Sequence, residues 1–128
     1  MRFAVAFFVV LGGCATAPGP EQPAPVEEPA ATTTAKPENI AVAGLMDTAR
    51  ADVAANRLGS AAATLERALR IEPRNPRLWH ELALVRLKQG DYAQAESTAQ
   101  RSNAWAGADG ELRSANQRII EEARTARR

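Results

Sequence analysis

One cysteine, one histidine and six aromatic residues are all this chain holds of the side chains most used for chemistry and for anchoring ligands. With Cys14 alone, no disulfide forms within the chain. His80 has no cysteine, second histidine or carboxylate at the spacing of a metal site, so no metal is expected. No glycine-rich phosphate loop is present. Glu121 and Glu122 are a carboxylate pair, but neighbours on a helix point apart and do not share an acid/base task. These absences predict no catalytic residues, no cofactor and no small-molecule substrate. The net charge of +1 is too small to argue for nucleic acid. The longest apolar run, Phe3–Leu11, has nine residues, about half of what a membrane span needs.

That run has another use. Arg2 before it and Leu11-Gly12-Gly13-Cys14 after it give the layout of a secretion signal, with all three phenylalanines in its apolar core. The last four residues resemble the bacterial lipobox, in which the cysteine is lipidated and the chain is cut before it. The resemblance implies that residues 1–13 are a lipoprotein signal peptide and that Cys14 carries diacylglyceryl and N-acyl chains. Several acyl chains together anchor stably where one does not. Ala15, standing where an aspartate would argue for retention, implies export to the outer membrane.

Residues 14–38 read as the lipidated cysteine and a disordered linker. Six of the eight prolines fall between Ala15 and Glu38, among Ala, Thr and Glu, with almost no large apolar side chain. Such a segment cannot bury enough surface to offset its ordering entropy. It carries four Glu against one Lys. At full polyproline extension it spans about 75 Å, and less on average, enough to hold a domain away from a membrane.

Residues 39–128 carry the folded domain, expected to be all-α. Its most legible stretch is Pro76–Ser102. Pro76 suits the head of a helix, where a missing N–H costs little. Leu78, Trp79, Leu82, Ala83 and Leu87 recur at helical spacing. Gly90 suits a left-handed helix stop, and Asp91 a cap for the next helix, whose inner stripe is Tyr92, Ala95 and Ala99. Ala83 and Ala95 let the two backbones approach closely, while Trp79 and Tyr92 fill the ends of the seam.

Stepping back 34 residues returns the pattern in weaker form: Leu45 under Trp79, Ala49 under Ala83, Leu58 under Tyr92, Ala61 under Ala95. Thr64 and Arg67 match Thr98 and Arg101 outright, and Asn56 stands where Gly90 does. The order Trp, Leu-Ala, Gly-x-Tyr-x-x-Ala at this period resembles the tetratricopeptide repeat, a helix–turn–helix unit, over about residues 42–107. Two such repeats are therefore expected. In the first, Ile40, Leu45, Ala49 and Val53 face inward and Asp47, Arg50 and Asp52 outward. Leu58-Gly59-Ser60 makes the turn, with Ser60 as cap. Glu66 pairs with Arg70 four residues on. After a break at Asn103–Gly110, Glu111–Arg128 forms a fifth helix with Leu112, Ala115, Ile119, Ile120 and Ala123 on one side. It is the polar-faced cap that a short solenoid needs, and Trp105 before it is expected to plug the open end of the second repeat.

In this repeat family the first helix of each unit lines a concave groove. Carried over by position, the partner-binding groove consists of Met46, Arg50, Arg77, His80, Leu84, Leu87 and Lys88. The bland alternative is that Leu84 and Leu87 pack under the fifth helix. An apolar strip flanked by Arg50, Arg77 and Lys88 suits a peptide bearing acidic groups. Lipobox, proline-rich linker and repeats together resemble the LpoP-type family of outer-membrane lipoproteins. That resemblance implies a domain anchored to the outer membrane and facing the periplasm, whose partner is a class A penicillin-binding protein, activated in peptidoglycan synthesis. A pilotin-like scaffold for a pilus or secretion system, or a general envelope adaptor, shares the anchor and repeats and is the alternative.

Overall fold

A computed structural model of the chain describes residues 39–128; Cys14, the leader and the linker lie outside them. Among the described residues the secondary structure is five helices. They are α1 (Ile40–Ala54), α2 (Leu58–Ile71), α3 (Pro76–Lys88), α4 (Tyr92–Trp105) and α5 (Gly110–Ala126). The helices α1/α2 and α3/α4 form two antiparallel hairpins, and α5 packs on α4 and α3.

Local chemistry places most helix starts. The side chains of Asn39, Asn75, Asp91 and Asp109 accept hydrogen bonds from backbone N–H groups in the first turns of α1, α3, α4 and α5. Pro76 occupies the first turn of α3. Asn56 and Gly90, one period apart, both take positive φ, 57° and 78°, at the two hairpin turns. Asparagine and glycine tolerate that region better than other residues, so the repeat is preserved in backbone conformation where it is lost in residue identity.

The first turn differs from expectation. The chain turns at Ala55–Arg57, and Leu58, Gly59 and Ser60 already belong to α2. The helix has no side-chain cap. Ser60 instead donates its hydroxyl to Asp52, 2.6 Å away. Asp52, expected to face water, is only 6% exposed. It also accepts two hydrogen bonds from Arg57, which closes the turn around the carboxylate. On α1 the inward stripe is Val42, Met46 and Ala49, with Leu45 and Val53 half-buried. Ile40 is 89% exposed because it opens the helix, before the face turns inward. Glu66 pairs with Arg86 on the neighbouring hairpin rather than with Arg70.

Two clusters make the core. The first joins Val42, Met46, Ala49, Ala61, Leu65, Ala68 and Leu69 of the first hairpin to Leu78, Leu82 and Val85 of α3. The second joins Ala83, Ala95 and Ala99 to Ile119, Ile120 and Ala123 of α5, with Leu84, Leu87 and Tyr92 packed alongside. Since α5 closes this seam, Trp105 is not the plug. It remains 46% exposed, with Arg74 over its ring.

Candidate functional site

Helices α1, α3 and α5 together enclose a shallow depression of about 370 Å³. Arg50 of α1 and Arg77, His80 and Glu81 of α3 line one side. Asp109, Glu111, Leu112, Ala115 and Arg118 line the other, all from α5 or its cap. The depression holds both signs of charge over a small apolar floor, Leu112 and Ala115. It faces solvent and contains no dry recess for a small ligand.

The groove residues expected from sequence divide into four groups. Arg50, Arg77 and His80 do meet here. Met46 does not, being 4% exposed inside the first core cluster. Leu84 and Leu87 lie outside the lining, half-buried and packed against the second cluster. Lys88 is exposed at the end of α3 and lies outside the lining of the depression. The residues missed are Glu81 of α3 and, chiefly, those of α5 and its cap. The signal for α5 was available: a step of one 34-residue period from Leu78, Leu82 and Val85 reaches Leu112, Asn116 and Ile119. These are half-buried, buried and buried. Thus α5 is positioned as the first helix of a third unit as well as a cap.

Several ties fix the shape of the wall. Arg50 donates from Nε and Nη2 to one carboxylate oxygen of Glu81, at 3.1 and 2.6 Å, joining α1 to α3. Between α3 and α5 the tie is a buried polar chain. The Ser102 hydroxyl donates to the Pro76 carbonyl at 2.8 Å. Asn116 donates from Nδ2 to Ser102 Oγ and to Asn103 Oδ1, both at 2.8 Å. Asn103 Oδ1 can only accept, so the amide orientation of Asn116 is set. Its Oδ1 therefore faces His80 Nδ1, 2.7 Å away, and that nitrogen must carry the hydrogen. In the neutral ring, His80 is left with Nε2 as an acceptor. One face of the depression is thus an imidazole held in a single tautomer by a fully buried amide. No buried side-chain nitrogen or oxygen among the described residues lacks a partner, so the chain of bonds is closed.

This arrangement can hold a peptide or a protein surface through mixed polar contacts. Among the described residues there is no cluster of metal-ligating side chains. No described helix is long and apolar enough to cross a membrane.

Comparison with known proteins agrees with the architecture. The family model described as Tetratricopeptide repeat matches residues 52–119, from the end of α1 well into α5. A solved structure, the globular C-terminal domain of P. aeruginosa LpoP, is similar at 40% sequence identity with a TM-score of 0.68. The match covers 70% of this chain and 84% of that one. No curated protein matches.

Proposed function

The chain belongs to the tetratricopeptide-repeat family, and we propose that it is an outer-membrane lipoprotein whose repeat domain binds and activates a class A penicillin-binding protein. One observation carries the reading: the LpoP-like match runs through nearly all of a solved LpoP domain at an identity well above the level at which only the fold is informative. On this proposal residues 1–13 direct export, lipidated Cys14 holds the protein on the inner leaflet of the outer membrane, and residues 15–38 give the domain reach into the periplasm. The repeat domain then acts by contact alone, breaking and forming no covalent bond.

The docking face is the α1–α3–α5 depression. Arg77 and Arg118 on opposite walls offer guanidinium donors to carboxylates, and His80 Nε2 offers an acceptor between them. Leu112 and Ala115 give a partner's apolar side chain a place to lie. The interface is of mixed polarity, as expected of a contact that forms and dissolves.

The test is addition of the full chain to purified class A synthase, with the rate of glycan polymerisation as readout. The expected result is a saturable increase in rate, reduced at least tenfold in potency by Arg77→Glu with Arg118→Glu. No binding and no change in rate would overturn the partner. An undiminished effect of the double variant would overturn the face while leaving the partner standing.

A further inference from the structure

A second surface, away from the groove, has its own chemistry. The Trp79 indole donates its N–H to the Pro73 carbonyl at 2.8 Å. Next along the chain, Arg74 lies over the Trp105 ring, 5.2 Å from its centre. One helical turn before Trp105, Arg101 lies over the Trp79 ring at the same distance. The contacts therefore form a closed circuit: Trp79, Pro73, Arg74, Trp105, Arg101 and back to Trp79. Both tryptophans of the chain are in it. Trp105 is 46% exposed, and Pro73, Arg74 and Arg101 are exposed. Ile71, two residues before Pro73 and 45% exposed, adds an aliphatic side chain at the end of α2.

The electrostatics are one-sided. Four of the other arginines pair with carboxylates across helices, as Arg50 does with Glu81, Arg86 with Glu66, and Arg124 and Arg127 with Glu96. Arg74 and Arg101 form no ion pair among the described residues; their charges rest on indole faces. A guanidinium held over an indole keeps its full charge, and its planar N–H fork fits a carboxylate. The Trp105 N–H also has no acceptor among the described residues. The Pro73 carbonyl already accepts from Trp79. The patch thus offers donors and positive charge beside exposed apolar surface.

We propose that this Trp–Arg circuit is a second docking surface, and that its occupant is an acidic segment of a partner protein, with carboxylates on Arg74 and Arg101 and an apolar side chain against Trp105. Charge complementarity selects that occupant. A neutral glycan strand is disfavoured because it brings no carboxylate to the two guanidinium groups. Tryptophan and arginine are also the residues most often found to dominate protein interfaces. A lipoprotein with two separated surfaces holds its partner by two contacts rather than one, which raises the lifetime of the complex.

The experiment uses the full chain and its tryptophan fluorescence. The probes are the peptide acetyl-Glu-Leu-Glu-Leu-Glu-amide, the same peptide with Gln for every Glu, and chitotetraose. The expected result is a saturable change with the acidic peptide, weakened at least tenfold by the Gln replacement and at least tenfold by Arg74→Gln with Arg101→Gln. These two arginines are exposed, so the helical circular dichroism of that variant should match the parent. Lys88→Gln, at an exposed cation outside both surfaces, should leave the affinity unchanged, which separates this patch from a general response to positive charge. No saturable change with the acidic peptide, equal binding of the Gln peptide, or tighter binding of chitotetraose would each overturn the proposal.

Discussion

The two hairpins share a period but are held together differently. The first encloses large aliphatic side chains, Val42, Met46, Leu65 and Leu69, which also grip Leu78 and Leu82 of its neighbour. The second has a seam of alanines, Ala83, Ala95 and Ala99, and needs Ile119 and Ile120 of α5 to supply bulk. The turns differ in the same spirit. In the first, a buried carboxylate collects Ser60 and Arg57 around it. In the second, Gly90 takes the left-handed conformation and Asp91 caps the next helix. Both seams bury alanines, Ala49, Ala61 and Ala68 in the first as Ala83, Ala95 and Ala99 in the second; the first adds filled volume and a side-chain clasp, whereas the second takes its bulk from α5. The consequence reaches the proposed docking face: because the alanine seam is thin, α5 must lie on it, and α5 brings half of the lining of the depression.

Core substitutions should separate the two modes most widely. Leu65→Ala removes a side chain that is 1% exposed in the first cluster. It should cost about 2–5 kcal/mol, through lost burial and the cavity left behind. Ala95→Leu in the second seam adds volume where there is none and should cost about 1–3 kcal/mol by forcing the hairpin apart. Urea unfolding measures both. If Ala95→Leu is neutral, the seam is looser than its alanines imply and the contrast between the hairpins fails.

The same contrast decides what was legible in the chain. The 34-residue echo, Pro76 and the Asn56/Gly90 pair act through backbone geometry, which local sequence states directly, and all of them stand in the structure. The inward face of Asp52 was not legible, because a carboxylate next to a turn normally faces water. What turns it inward is Ser60, eight residues on, and that pairing exists only once the hairpin has closed. The lining of the depression was half legible. Arg50, Arg77 and His80 sit on the expected first helices, but which apolar residues stay open depends on where α5 lies. Leu84 and Leu87 look like groove residues on α3 alone and are half-buried against the cluster that Ile119 and Ile120 complete. Met46 is likewise core because Leu78 and Leu82 of the next unit cover it.

The turns give a smaller and more local comparison. A Cβ at Gly90 would meet no atom within 4 Å, so any cost of Gly90→Ala is backbone strain at φ 78° alone. That cost should be about 1–2 kcal/mol. Asn56→Gly, at φ 57° in the other turn, replaces one tolerant residue by another and should stay within about 0.5 kcal/mol. Thermal melts of the two variants check this, and equal losses would mean that the turns are not equivalent in conformational demand.

Acid titration tests the clasp on the first turn, whose contribution is complete at neutral pH and changes only in acid. The Ser60 hydroxyl and the Arg57 guanidinium, in that order of influence, hold the Asp52 carboxyl below its ordinary value of 3.8. Both favour the charged form, and together they outweigh the opposing effect of burial. A carboxylate whose folded pKa is lowered contributes stability that is complete above the unfolded value and is lost as pH falls through the folded one. The stability difference between the parent chain and Asp52→Asn should therefore be constant well above pH 3.8 and shrink below it. Other carboxylates titrate in both proteins and cancel from the difference. Ser60→Ala should narrow the same gap by removing the larger of the two influences. The second hairpin has no counterpart to this clasp, so Gly90→Ala should lower stability by the same amount across the whole acid range. A flat difference for Asp52→Asn down to full protonation would mean that the first turn, like the second, is held by its backbone.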